Sequence, residues 1–231
     1  MTNPAIAEKP ILFNGDMVRA ILDGRKTQTR RLMKPQPELS PHGGHWWACD
    51  AVESMVKVEE QLNNEGGWAG FAGSVCPHGQ PGDRLWVRET HHLSHQNKVT
   101  YRADYPFNPF SEDECGEDCS MVGEVWRPSI HMPRWASRIT LEITAIRIQR
   151  IQDISEEDAI AEGILNSTLQ TPLTKTAMYH CEPWPTPICG ESARDAYGAL
   201  WESIYSKDSW DQNPWVWVVE FRRVEQAEVA A

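Results

Sequence analysis

Between Ile139 and Ile148 the chain alternates apolar and polar residues, Ile139-Thr140-Leu141-Glu142-Ile143, and then resumes out of step at Ile146 and Ile148. A period of two places the apolar side chains on one face of an extended chain, so this run has to be a sheet strand with one buried face. The slip at Ala145-Ile146 implies one extra residue, a β-bulge, which bends a strand and tightens its twist. A long bulged strand constrains the rest of the chain to pack around a curved sheet.

The neighbouring elements follow from local signals. Pro10-Ile11-Leu12-Phe13 predicts a short strand, and Asp16 to Asp23 a helix with Met17, Ala20 and Ile21 at helical spacing, ended by Gly24. Lys34-Pro35-Gln36-Pro37 excludes further helix. From there to Gln80 no period holds, so residues 35–75 are expected to form an insertion. Pro81-Gly82-Asp83 is a turn signal before a strand from Arg84 to Glu89, with Lys98 to Arg102 as its expected neighbour. Ser155 to Gly163 has an N-cap serine, three acids in the first turn and a terminal glycine, which specify a short capped helix. Ala193, Tyr197, Leu200, Trp201 and Ile204 mark one helix face, and Trp215 to Val224 alternates as a last strand. Five or so strands with short helices give an α+β domain built on a small curved sheet or barrel.

The length of 231 residues suits one domain with insertions. The longest apolar run, Trp215 to Val219, falls far short of the roughly 20 residues a membrane helix needs. The opening MTNPAIAEKPILF has no basic segment followed by an apolar one. A cytoplasmic protein without a membrane partner is therefore expected, with six cysteines as thiols or metal ligands rather than disulfides. Cys76-x-His78, His91-His92-x-x-His95, Cys115-x-x-x-Cys119 and the pair Cys181 and Cys189 are ligand types zinc accepts, but their spacing matches no paired CxxC ribbon. No metal and no cofactor are expected, and no P-loop, dinucleotide fingerprint or nucleophile elbow is present. Of the eleven tryptophans, Trp86, Trp201, Trp215 and Trp217 fall on expected elements and are assigned to the core. Trp46, Trp47, Trp68, Trp126, Trp135 and Trp184 lie in irregular stretches, where one or two can stack on a base.

A net charge of −11 argues against sequence-independent binding to nucleic acid. The basic residues nevertheless gather in Gly24-Arg25-Lys26-Thr27-Gln28-Thr29-Arg30-Arg31. There Lys26 and Thr29 can supply a base and a hydroxyl nucleophile, provided burial or the neighbouring arginines depress the lysine pKa. Anchoring of a phosphate or carboxylate, or a merely solvated basic strand, are the alternatives. Geometry raises an objection, since positions i and i+3 of a regular strand point to opposite faces. Glu162, on the unfavourable end of its helix dipole, is a candidate general acid. The stretch Trp126 to Trp135 sets His131, Arg127 and Arg134 between prolines, as a loop presenting side chains or packing its tryptophans on the sheet.

Ile21-Leu22-Asp23-Gly24-Arg25-Lys26-Thr27-Gln28-Thr29-Arg30, followed by Pro81-Gly82-Asp83-Arg84-Leu85, Ile139 to Ile143 and Ile154 to Ile164, resembles the ASCH domain of the PUA-like β-barrel superfamily. The wording WVRET, PSIHMPRWASRITLEIT, ISEEDAIAEGI and NPWVWVVEFRRV is similar to the larger members carried by phages and prophages. The resemblance implies an α+β fold with a PUA-like barrel of about five to six strands. It also implies a single domain over 1–231 with insertions near 35–75, 106–124 and 166–190. Small bacterial ASCH proteins include amidohydrolases that remove the acyl group from N4-acetylcytidine. Carried over by motif, the proton acceptor, nucleophile and proton donor fall on Lys26, Thr29 and Glu162, and in that family the lysine and threonine face one cavity. Arg30, Arg31, Arg88, Glu89 and His131 are the candidates for substrate binding, with no motif that assigns them. The resemblance thus implies a monomeric hydrolase with a nucleoside as its small-molecule partner. RNA binding or processing, or a noncatalytic phage accessory role, are the alternatives.

Overall fold

A computed structural model describes residues 6–63, 67, 71–94, 98–105, 125–170, 175–181 and 188–225. Strand β1 (Glu8–Leu12) leads through Phe13 into helix α1 (Gly15–Leu22), whose N-cap Asn14 accepts a bond from the Met17 amide, and β2 (Gln28–Leu32) follows. Next come β3 (Glu38–Leu39), β4 (His45–Cys49) and β5 (Ser54–Lys57), then α2 (Val58–Asn63) and α3 (Ala72–Val75). After β6 (Arg84–Arg88), β7 (His91–Leu93) and β8 (Val99–Tyr101), the long strand β9 (Thr140–Arg150) crosses the domain. Helix α4 (Glu156–Ala161), strands β10 (Leu165–Gln170), β11 (Lys175–Cys181) and β12 (Ile188–Gly190), helix α5 (Ala193–Ile204) and strand β13 (Trp215–Val224) complete the order.

The main sheet has the order β1-β6-β9-β13-β2, with β1 parallel to β6 and the other neighbours antiparallel. The fold is α+β. Opposite β9, the register of β13 steps from Glu220↔Ala145 to Phe221↔Ile143, so Thr144 is the extra residue. The bulge sits one residue before the slip seen in the sequence, because the sequence registers it only where apolar residues resume.

Strand β13 is buried on both faces. Trp215, Trp217, Val219 and Phe221 enter one core with Phe13, Val18, Leu85 and Ile143, while Val216 and Val218 enter a second with Ile151, Tyr197 and Trp201. Alternation is obeyed, but each side of the period meets its own apolar layer. The curved sheet does not close into a barrel ladder, since β1 and β2 are its ends among the described residues. Their approach is bridged by a side chain instead, with Arg31 Nη2 donating to the Leu12 carbonyl at 2.7 Å.

Two segments differ from their sequence expectation. The stretch 35–75, which shows no period, contains the three-stranded β3-β4-β5 meander, and Trp47, Cys49, Val56 and Val58 from it are buried in the first core. Its strands are too short for a periodic signal, and long-range packing ties it down: Trp47 meets Trp217 edge-on and His45 meets Trp215, each with ring centroids 5.3 Å apart. Val99 to Tyr101 pairs with His91 to Leu93 in a separate ribbon rather than with β6. Residues 106–124 lie outside the described residues, as do Trp68 and Trp184, and β10-β11-β12 form a three-stranded sheet within 166–190. Among the described residues no helix is long and apolar enough to cross a membrane.

If the meander is part of the core, Trp47→Ala should lower unfolding stability by about 3–5 kcal/mol. Urea denaturation reads this directly, and an unchanged midpoint would mark the meander as an appendage.

Candidate functional site

The turn out of α1 sets Lys26. Gly24 adopts φ +74, and the amides of Arg25 and Lys26 both donate to the Ala20 carbonyl, at 2.9 and 3.0 Å. Lys26 therefore leaves the helix end before β2 begins at Gln28, and the strand period does not govern it. Strand β2 is an end strand, and beyond its free edge stands the C-terminal end of α4, with the Thr27 amide donating to the Ala161 carbonyl at 2.9 Å.

Helix α4 is built as its sequence indicates. Ser155 Oγ accepts from the Asp158 amide at 3.1 Å, Glu162 is the C-cap, and Gly163 follows at φ +105. A Cβ on Gly163 would stand 3.1 Å from Ala20 Cβ and 3.5 Å from Lys26 Cβ. Conformation and space both require glycine there, and its bareness lets the end of α4 close on α1 and Lys26.

That approach buries an ion pair. Lys26 Nζ donates to Glu162 Oε2 at 2.6 Å and to the Glu162 carbonyl at 2.8 Å, and the two residues are 2% and 4% exposed. Arg30, 3% exposed, gives Nη1 to Glu162 Oε1 at 3.0 Å and Nη2 to Asp158 Oδ2 at 2.7 Å. Asp158 also accepts from Arg147 Nη2 at 2.7 Å, and Arg147 pairs in turn with Glu220. Lys26, Glu162, Arg30, Asp158, Arg147 and Glu220 thus form a chain of alternating charge, most deeply buried at the Lys26 end. Burial pulls the Lys26 pKa below the ordinary lysine value, helped by Arg30 and Arg31, and Glu162 only partly restores it. For Asp158 burial acts to raise the pKa, but hydrogen bonding from Gln28 and the charges of Arg147 and Arg30 hold it below the usual carboxylate range.

Thr29 lies opposite Val219 in the β2-β13 ladder and Arg30 opposite Val218, so the two belong to opposite faces. Arg30 reaches Glu162 directly, at 3.0 Å, whereas Thr29 shares only a cleft with it. Thr29, Arg30, Arg31, Glu162, Trp201 and Tyr205 border a narrow cleft. A second narrow cleft, with Asn14, Asp16, Arg25 and Leu165 in its wall, shares Glu162.

Every cation of the basic run has an internal partner. Arg25 pairs with Asp23 at 2.9 Å, Lys26 and Arg30 hold Glu162, and Arg31 holds the Leu12 carbonyl while lying 5.3 Å over the Phe13 ring. The remaining substrate-binding candidates lie elsewhere, and none lines either cleft. Arg88 stacks on Trp86 at 4.6 Å. Glu89, 1% exposed, is gripped through both oxygens by Arg138 at 2.9 Å, and burial raises its pKa against that pull. His131 is exposed on a 3-10 turn at Ser129–His131. Arg147 from β9, Tyr197 and Trp201 from α5 and its C-cap Tyr205 join the site without being singled out for it by sequence. Only the i, i+4 spacing of the three aromatics on one helix was a usable signal.

Among the described residues no three His, Cys, Asp or Glu converge as metal ligands. His95, Cys115 and Cys119 lie outside those residues, and the side chains of Cys181 and Cys189 are likewise not described. No protein-family description, curated protein or solved structure matches this chain.

Replacing Glu162 with Gln leaves the buried Lys26 without its counter-ion and Arg30 with Asp158 alone, and a cost of about 3–5 kcal/mol is expected. Adding Lys26→Met should recover part of that loss, so a double-mutant cycle by chemical denaturation should show strong non-additivity. Additive losses would mean the pair is not energetically coupled.

Proposed function

We propose that the protein is an amidohydrolase that removes the acyl group from N4-acylated cytosine or cytidine, built on an ASCH-type, PUA-like single domain. It acts as a cytoplasmic monomer on a nucleoside-sized substrate. The observation that carries this is the 2.6 Å contact between the buried Lys26 Nζ and Glu162 Oε2, with Glu162 and Thr29 bordering one cleft.

The ion pair and its neutral form differ by one proton moved across that contact, and burial lowers the Lys26 pKa. Neutral Lys26 takes the Thr29 hydroxyl proton as the oxygen attacks the acyl carbonyl. Protonated Glu162 gives its proton to the departing cytosine N4, so that the C–N bond breaks and an acyl-threonine ester forms. Lys26 is then an ammonium and Glu162 a carboxylate, the paired state described above. Water next attacks the ester, Glu162 removes its proton, and Lys26 returns one to the Thr29 oxygen. The free acid leaves, and both groups are reset.

Arg30 and Asp158 position rather than react, since Arg30 holds the second Glu162 oxygen and Asp158 holds Arg30. An RNA-binding role centred on Arg25, Arg30 and Arg31 draws less support, because phosphate would have to compete with the internal partner each already has.

Thr29→Ala and Lys26→Met should each abolish release of cytidine from N4-acetylcytidine while circular dichroism shows a folded protein. Absence of turnover by the unmodified protein on a panel of N4-acylated cytosines and cytidines would overturn the proposal. Because protonated Lys26 cannot accept a proton, kcat/KM should rise with pH along a limb whose midpoint lies below the ordinary lysine value of 10.5.

A further inference from the structure

Helix α5 supplies the wall of the Thr29 cleft, and that wall is aromatic. Tyr197, Trp201 and Tyr205 follow one another at i, i+4 spacing, and all three border the cleft. Tyr197 and Trp201 are buried, at 4% and 2% exposure. Tyr205 caps the helix and leans on Trp201 with ring centroids 4.2 Å apart and planes tilted by 36°. It remains 36% exposed, so part of its ring is left for something else to cover.

A second, independent feature belongs to the same wall. Among the described residues the buried Trp201 indole Nε1 finds no hydrogen-bond partner. Such a donor costs free energy when left unpaired, and most buried polar groups find a partner. An exposed flat ring beside an unpaired buried N–H describes the needs of a planar ring that carries a carbonyl acceptor. A sugar has hydroxyl acceptors but no flat π face, and a phosphate offers no surface to stack.

We propose that Tyr205, backed by Trp201, is the platform on which the substrate's pyrimidine-type base stacks, with the Trp201 indole donating to a ring carbonyl oxygen. The inference rests on the cleft being the reaction site. It adds the residues that choose the substrate: the two aromatics select a flat heterocycle, and Thr29 and Glu162 act on the amide attached to it. Tyr205 is thus a specificity residue that touches the base and takes no part in proton transfer.

Cytidine binding to the full-length Thr29→Ala protein, followed by calorimetry with ribose as control, tests the platform without turnover. Cytidine should bind and ribose should not. Adding Tyr205→Ala should weaken cytidine by about ten-fold or more, as loss of a stacking partner does, while Tyr205→Phe, which keeps the ring, should bind as tightly as the parent. Trp201→Phe, which keeps a ring and removes the donor, should weaken cytidine and leave the fold intact by circular dichroism. In the otherwise unmodified protein, Tyr205→Ala should raise KM for N4-acetylcytidine with little change in kcat. Equal affinity for cytidine with and without the Tyr205 ring, or equal binding of ribose and cytidine, would overturn the platform whatever the activity. Ring-dependent cytidine binding by a protein that hydrolyses no acylated cytosine would instead overturn the hydrolase and leave the platform standing.

Discussion

Lys26 and Glu162 are 136 residues apart in the chain and 2.6 Å apart in the fold, and both are shut away from water. Neither could be buried alone, since an isolated ammonium or carboxylate in such a place costs several kcal/mol or gives up its charge. Bringing them together therefore forces other choices. The end of α4 must close on the turn after α1, which needs the bare backbone of Gly163, and Glu162's second oxygen needs Arg30. Arg30 then needs Asp158, which brings in Arg147 and Glu220 from the two longest strands. The alternation of sign keeps each link close to neutral.

The same chain of contacts ties helix α4 to the sheet. Asp158 sits in the first turn of α4, where its carboxylate meets the helix dipole, and also serves as the joint between Arg30 on β2 and Arg147 on β9. The cleft is bounded on one side by an end strand whose outer edge no other strand pairs among the described residues, and on the other by α5. An open strand edge exposes backbone and side chains to a neighbour in a way a closed ladder would not.

Much of the fold was legible locally. The bulged strand, the capped helix ending at Gly163 and the final strand each carry their own periodic or capping signal, and each was found within a residue or two of its place. The meander of residues 38–57 is not legible, because strands of two to five residues give no period, and its hold on the core comes from long-range contacts such as Trp47 on Trp217 and His45 on Trp215. Within the site, Lys26, Thr29 and Glu162 could be named from residue type and family likeness. Arg88, Glu89 and His131 were named beside them, yet the fold puts Glu89 under Arg138 and leaves His131 on the surface. Residue type tells what a side chain can do, and gives no measure of which others it will meet.

The sequence by itself determined the α+β composition, the alternation of β13, the caps of α4 and the presence of a lysine, a threonine and a glutamate suited to acyl transfer. These are properties of neighbours along the chain, and local stereochemistry and periodicity decide them. Only the tertiary structure decided that Lys26 escapes the parity of β2 by preceding it, that Glu162 meets both Lys26 and Arg30, and that α5 lines the cleft with aromatic rings. Those facts depend on long-range closure, in which hydrophobic layers on both sides of β13 fix where α1, α4 and α5 can lie, and charge balance then fixes which side chains must meet.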